Sequence, residues 1–134
     1  MVNKKFENQI IVGRISYEIA NDLHIEAGEI ILCDGNDMWG RNHINFKHKQ
    51  DLQNMGYDNT DDFVIEVVTN FNQIRQGSDN SLLLVKWNGL PKVVFIALNF
   101  DLQTNCYTVG SAGFFRKTYV EKKKLLWERS APFR

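Results

Sequence analysis

Residues 81–111 have the sequence SLLLVKWNGLPKVVFIALNFDLQTNCYTVGS, in which three runs are rich in β-branched and aromatic residues. The connections Asn88–Pro91 and Asp101–Thr104 are of hairpin length and contain turn-forming residues. This pattern predicts an antiparallel meander, and an upstream run supplies a candidate fourth strand. The predicted strands are Ser81–Trp87, Lys92–Phe100, Asn105–Ser111 and, as the fourth, Phe71–Arg75.

The first half of the chain has mostly helical patterning. Ser16 is placed to cap a helix that continues to about Ile25. A second predicted helix covers roughly Arg41–Met55 and is ended by Gly56. Thr60 is the predicted N-cap of a third helix, whose first turn carries two favourably placed aspartates.

Two shorter elements complete the prediction. Glu29–Cys33 is a predicted short strand, and the Thr118…Glu121 spacing is that of a capping box at the start of a last helix or turn, Thr118–Trp127. We therefore expect an α+β fold in a single domain, residues 1–134. Its N-terminal helices would pack on a roughly four-stranded antiparallel sheet, followed by a short C-terminal helix.

Composition narrows the class of protein. A content of 43% hydrophobic and 24% charged residues is typical of a globular protein. The longest apolar runs are too short to cross a bilayer, and no secretory signal is evident, so we expect no membrane segment and a cytoplasmic location, unless the chain is exported within something larger. Cys33 and Cys106 form no CxxC or zinc pattern, and are either buried thiols or a disulfide.

Charge is distributed unevenly although the net charge is zero. The segment Gly110–Arg134 carries seven cations against two acids, whereas the middle of the chain is acidic. This arrangement is compatible with a basic face for a polyanion and equally with a solvated terminal helix. The seven cations are Arg116, Lys117, Lys122, Lys123, Lys124, Arg129 and Arg134.

The predicted helix Arg41–Met55 carries two of the three histidines. At helical spacing His48 shares a stripe with Ile44, Leu52 and Met55, so its side chain is expected to point toward the sheet. Asp51, three residues later, can hold the imidazole, Lys47 lies on the flank and His43 one turn earlier. Such a histidine is either a proton-transfer group or a core histidine satisfied by a neighbour.

Ser111 ends the predicted strand Asn105–Ser111, where the sheet should open to solvent. A hydrolytic nucleophile is not indicated, because the Gly-x-Ser-x-Gly elbow is absent. The serine can instead donate a hydrogen bond to a phosphate, or it can be an ordinary strand-end residue. Cleavage of RNA without a metal needs a base, an acid and groups that hold the phosphorane, and Lys47, His48, Ser111 and Arg116 are residues of those types. No metal or cofactor motif is present in the sequence, and none is predicted.

Lys47-His48 on a helix and Ser111 on a late strand resemble the pattern of the barnase–EndoU–colicin–RelE superfamily of toxin ribonucleases, particularly its colicin D-like and phage-type branches. The order of elements from Val12 to Arg129 is also similar. The resemblance implies N-terminal helices on a four-stranded antiparallel sheet and an endoribonuclease activity on RNA, tRNA above all. It also implies a toxin used in bacterial competition and an acidic immunity protein as partner.

The resemblance is incomplete after the serine. The colicin D-like pattern has a tryptophan there, whereas this chain has Phe114 and Phe115, either of which can stack on a base. EndoU-like members use two histidines and a late Thr/Tyr pair, for which Thr108 and Tyr119 are weak counterparts. The predicted catalytic residues are His48, Lys47, Ser111 and His43, and the predicted substrate-binding residues are Arg116, Lys117, Phe114 and Lys86. The alternative function is a non-catalytic RNA- or protein-binding domain, such as an immunity-type binder.

Overall fold

The computed structural model describes residues 8–129, which form seven strands, four helices and a short 3₁₀ turn at Ser78–Asn80. In chain order the helices and strands are β1 (Ile10–Ile15), α1 (Tyr17–Leu23), β2 (Gly28–Leu32), α2 (Gly40–Asn54), α3 (Thr60–Asn70), β3 (Gln73–Gln76), β4 (Leu82–Lys86), β5 (Lys92–Asp101), β6 (Cys106–Arg116), α4 (Lys117–Glu121) and β7 (Leu125–Glu128).

All seven strands belong to one mixed sheet with the order β1-β2-β6-β5-β4-β3-β7. Strands β3 to β6 are antiparallel neighbours, and β2 joins this group by pairing parallel to β6. The predicted sheet of about four antiparallel strands behind N-terminal helices is therefore wrong. The antiparallel β1–β2 pair, whose strands are connected through α1, extends one side of the sheet and β7 extends the other. The helices are interspersed among the strands.

The N-terminal strand shows why the sequence pattern was insufficient. β1 passes through Gly13, where a bulge shifts its register with β2. A Cβ on Gly13 would lie 2.2 Å from Val68 Cγ1 of α3, so the glycine allows the helix to pack directly on the strand. Gly13 therefore serves close packing of α3 on β1.

The predicted C-terminal helix Thr118–Trp127 is also wrong in its second half. α4 ends at Glu121, and Leu125–Glu128 forms β7 by antiparallel pairing with β3. An available strand partner outweighs the local capping signal at this position. The helix caps agree better with expectation: Ser16 caps α1 as predicted, whereas Asn59 rather than Thr60 caps α3.

Two apolar layers lie on opposite faces of the sheet. The larger layer contains Ile74, Leu84 and Ile96 of the sheet and packs against α1, α2 and α3. The smaller layer contains Phe95 and Val85 and packs against Val120 of α4. Cys33 and Cys106 are both buried and are not joined by a disulfide. Among the described residues, none of the helices combines the length and apolar character that crossing a lipid bilayer requires.

Helix α2 lies along β6, and its position determines the geometry of the candidate site. β2 pairs with β6 only at Tyr107 and Thr108, and beyond them no described strand pairs with that side of β6. Ile44 and Leu52 anchor α2 in the larger core. Arg41 fixes the beginning of the helix, since its Nε donates to Asp61 Oδ1 at 2.7 Å.

Candidate active site

A cleft of about 350 Å³ opens on the sheet face that carries the smaller apolar layer, between α2, the strands and α4. We call it the histidine cleft, because both histidines of α2 line it. All four residues predicted to be catalytic lie here: His43, Lys47, His48 and Ser111. The sequence stripe predicted this position for His48, but it did not indicate that His43 would share the same cleft.

The imidazole of His48 lies directly against the backbone of Gly113. A Cβ on Gly113 would lie 2.9 Å from His48 Nδ1, so β6 offers the ring a place that only glycine leaves open. His48 Nδ1 lies 3.8 Å from Asp51 Oδ2, a charge contact too long for a hydrogen bond, and the side chain is 22% exposed. These contacts direct Nδ1 toward the protein.

Burial lowers the pKa of His48 below its ordinary value. The carboxylate of Asp51 raises this pKa, and the neighbouring charges of His43 and Lys47 lower it, so the net shift is downward. Because a lowered histidine pKa favours the neutral ring, His48 is suited to accept a proton near neutral pH.

His43 has a different environment. Its Nδ1 lies 2.8 Å from the carbonyl oxygen of Asp37, and since a carbonyl can only accept, Nδ1 carries a proton and donates it. The other nitrogen, Nε2, is then the one available to a ligand. The two imidazole centroids are 6.4 Å apart and the rings are nearly perpendicular, at 85°.

Cations and hydroxyl groups surround the two histidines. Lys47 is exposed on the flank of α2, and Lys123 Nζ lies 4.9 Å from the ring centroid of Tyr119. The hydroxyls of Ser111 and Tyr119 make no side-chain hydrogen bond to other residues in the range 8–129. The cleft therefore presents positive charge and unengaged hydroxyl groups, which is the chemistry that holds a phosphate.

An aromatic surface forms the floor of the histidine cleft. Phe95 and Phe115 are stacked, with centroids 3.8 Å apart and planes inclined by 5°. The Tyr119 ring lies 4.5 Å from that of Phe115. Flat apolar rings beside cations are the features with which proteins bind nucleobases and phosphates together.

The residues predicted to bind substrate are not brought into this cleft. Lys86 Nζ pairs with Glu66 at 2.8 Å, and Lys117 Nζ lies 5.9 Å from the Trp87 ring centroid. Phe114 lines a separate groove. Arg116 is exposed at the end of β6.

Thr108, named in the EndoU-like comparison, is buried and donates to the carbonyl oxygen of Asn99 at 3.3 Å, away from the cleft. Of the cations in the basic tail, Arg134 lies outside the described residues.

The sequence did not identify the contribution of α4 to the cleft. Tyr119 and Lys123 reach it because Arg75, only 8% exposed, donates to the carbonyl oxygens of Val120 and Lys123 at 3.3 and 2.8 Å. The four-residue spacing of Tyr119 and Lys123 would indicate a shared face in a continuous helix, but α4 ends at Glu121 and Lys123 lies two residues beyond it. The distant Arg75 determines where this segment packs. A local sequence pattern could not indicate that contact.

Comparisons with protein family models, with curated proteins and with solved structures found no match. The superfamily resemblance of the sequence therefore stays a prediction. Within residues 8–129, no group of three or more His, Cys, Asp and Glu side chains is placed to hold a metal ion.

Proposed function

We propose that this protein is a metal-independent endoribonuclease. The observation that supports this proposal best is that His43 and His48 share one cleft but differ in environment. RNA cleavage by internal attack needs a neutral base and a protonated acid on either side of one phosphate. Two histidines held in different surroundings are suited to divide these roles.

In the proposed reaction, His48 is the base and His43 the acid. The outward Nε2 of His48 accepts the proton of the ribose 2′-hydroxyl, and the 2′-oxygen forms a bond to phosphorus. The bond from phosphorus to the 5′-oxygen breaks, and that oxygen takes a proton from Nε2 of protonated His43. The products are a 2′,3′-cyclic phosphate and a 5′-hydroxyl end, and the one proton that His48 takes up matches the one that His43 releases.

The remaining groups of the cleft stabilise the pentavalent phosphorane. Lys47 and Lys123 supply positive charge, and Ser111 donates a hydrogen bond to a non-bridging oxygen. Tyr119 and Phe115 offer ring surface to a neighbouring base. tRNA is the RNA class that the resemblance implies, and we extend the proposal to a toxin that acts in the cytoplasm of a target cell and is blocked by an acidic immunity protein.

The test is incubation of the protein with total bacterial RNA in EDTA, followed by gel analysis and end-group chemistry. We expect discrete tRNA fragments that end in 2′,3′-cyclic phosphate. His48→Ala and His43→Ala should each lose at least about a hundredfold in rate, and Ser111→Ala about tenfold to a hundredfold. His24→Ala is the matched control, since this exposed histidine lies at the end of α1, and it should keep full activity.

Intact RNA after hours at protein excess would refute the ribonuclease proposal. Together with an absence of toxicity on expression, that result would favour the alternative of a non-catalytic binding domain. Cleavage only after addition of a divalent cation would also refute it, since the proposed reaction uses side chains alone.

A further inference from the structure

A second concave surface lies near the C-terminal end of α2, and the proposed reaction does not use it. This groove has a volume of about 540 Å³ and is formed by the end of α2, the β4–β5 connection and strands β5 and β6. Its apolar surface includes Phe114, Met55 and Leu90, of which the last two are 39% and 57% exposed. We call it the Phe114 groove.

Two asparagines and a lysine border this apolar surface. Asn54 and Asn88 bring carboxamides to the groove. Their Oδ1 atoms already accept from Gln50 Nε2 and from the Leu90 amide, both at 3.0 Å, so the NH₂ groups are the ones that can donate to the edge of a nucleobase. Lys92 Nζ lies 5.5 Å from the centroid of the Phe114 ring. The groove combines an aromatic ring, two carboxamides and a cation. It therefore matches the chemistry of a nucleotide better than that of an uncharged apolar ligand.

A pair of like charges beside the groove indicates an anion. Lys92 of β5 is paired directly with Arg116 of β6, and two residues along the same ladder Val94 is paired with Phe114. All four therefore project from the same face of the sheet. Like charges at opposed positions destabilise a sheet, and neither cation forms an ion pair with another residue of the described chain. A bound phosphate would remove this repulsion.

The position of the groove relates it to the histidine cleft. Asp51 lines the Phe114 groove and also contacts His48, while Gly113 beneath His48 is next to Phe114 in β6. Phe115, on the opposite face, lines the cleft. A single RNA strand that passes around the end of β6 can thus contact both surfaces.

We propose that the Phe114 groove is a second nucleotide subsite, in which a base stacks on Phe114 while Lys92 and Arg116 hold a phosphate. The subsite would bind a nucleotide of the substrate strand away from the cleaved bond, so this inference rests on the proposed ribonuclease function. It assigns Phe114 and Arg116 a role in substrate binding that is separate from the catalytic cleft.

The test uses a fluorescein-labelled RNA of eight nucleotides with mixed sequence and 2′-O-methyl groups, which cannot be cleaved by internal attack. Fluorescence anisotropy gives the dissociation constant for the full chain and its variants. Phe114→Leu should weaken binding roughly tenfold, because base stacking on an aromatic side chain is lost, whereas Phe114→Trp should bind as tightly as the parent. Leu102→Ala, at an 85% exposed position in the β5–β6 turn, should have no effect.

The two cations are tested by the salt dependence of binding. The double variant Lys92→Gln/Arg116→Gln should reduce the slope of log Kd against log salt by roughly 1 to 1.5, as expected for two lost phosphate contacts on a single strand. Both cations are exposed, so the fold should be unaffected, and melting temperature serves as the check.

Affinity unchanged within twofold in Phe114→Leu, or an unchanged salt slope in the double variant, would overturn the subsite. The two proposals fail separately. If the parent leaves natural RNA intact while the groove variants bind the probe weakly, the ribonuclease function is wrong and the subsite stands. If the parent cleaves RNA and the groove variants bind normally, the subsite is wrong.

Discussion

Gly113 is the residue whose small size most directly positions a candidate catalytic group. A Cβ there would lie 2.9 Å from His48 Nδ1 and 3.1 Å from Cγ, closer than ordinary contacts allow. Gly113→Ala should therefore displace the imidazole, and it also places a side chain at a positive φ of 156°. We expect a rate loss of at least about tenfold, with a destabilisation of about 1–3 kcal/mol, measured by RNA cleavage and urea denaturation.

The control for this substitution is Gly89→Ala. Gly89 has a positive φ of 79°, but no atom lies within 4 Å of a Cβ added there. Its replacement should cost about 1–2 kcal/mol from the backbone alone and leave cleavage unchanged. Equal activity in both alanine variants would show that the Gly113 contact does not position His48.

Asp51 provides a test of the role of His48 through pH. The Asp51 carboxylate raises the pKa of His48 against the larger lowering by burial. Removing that charge in Asp51→Asn lowers this pKa further, so a base at this position remains deprotonated at more acidic pH. The acidic limb of the kcat/KM profile should therefore move to lower pH.

Asp58→Asn is the matched control, because Asp58 is exposed outside the histidine cleft. The acidic limb of the kcat/KM profile of Asp58→Asn should coincide with that of the parent. A limb that moves to higher pH in Asp51→Asn, or does not move, would exclude His48 as the group that titrates there.

At the level of secondary-structure elements, the short helix α4 depends on one buried guanidinium. Arg75 donates to the carbonyl oxygens of Val120 and Lys123, and its Nε donates to Gln73 Oε1 at 2.9 Å. Arg75→Met keeps the apolar stem but leaves these acceptors without a donor. We expect a loss of about 2–4 kcal/mol in the free energy of unfolding. Cleavage should also fall at temperatures where the variant is fully folded, because Tyr119 and Lys123 lose their support.

Arg14→Met is the comparison, since Arg14 is exposed on β1 and stacks on the Tyr17 ring, 5.3 Å from its centroid. Its stability should stay within about 0.5 kcal/mol of the parent. A stable and fully active Arg75→Met protein would mean that β7 and the smaller apolar layer hold α4 without the arginine.

The elements that could be predicted from the sequence are those whose signals are local. The helix expected at Arg41–Met55 occurs at Gly40–Asn54, and the meander runs correspond to β4, β5 and β6. The end predicted at Ser111 is wrong, because β6 continues to Arg116 and Ser111 lies within the strand. β7 could not be predicted in this way, because its extended form depends on pairing with β3. The capping-box spacing at Thr118 described only the first turns of that segment.

At the scale of the whole molecule, the fold was mispredicted because its decisive contacts connect distant parts of the chain. The parallel pairing of Ile30 with Tyr107 attaches the β1–β2 pair to the meander. No periodicity in either segment specifies such a partner. The stripe of Ile44, His48, Leu52 and Met55 predicted the side of α2 that faces the sheet. Ile44 and Leu52 are buried there, whereas Met55 is 39% exposed. The addition of His43 and α4 to the same cleft required the three-dimensional arrangement.

The position of α2 beside β6 determines which part of the sheet becomes exposed when this helix detaches. From Val109 onward one side of β6 has no neighbouring strand in the described chain, and α2 occupies that place. Detachment of α2 would carry away His43, Lys47 and His48, and it would also uncover the amide and carbonyl groups of an apolar strand. Such an uncovered edge pairs readily with the same edge of another copy. Loosening of this helix would therefore lead toward aggregation rather than to an unfolded chain that recovers on cooling.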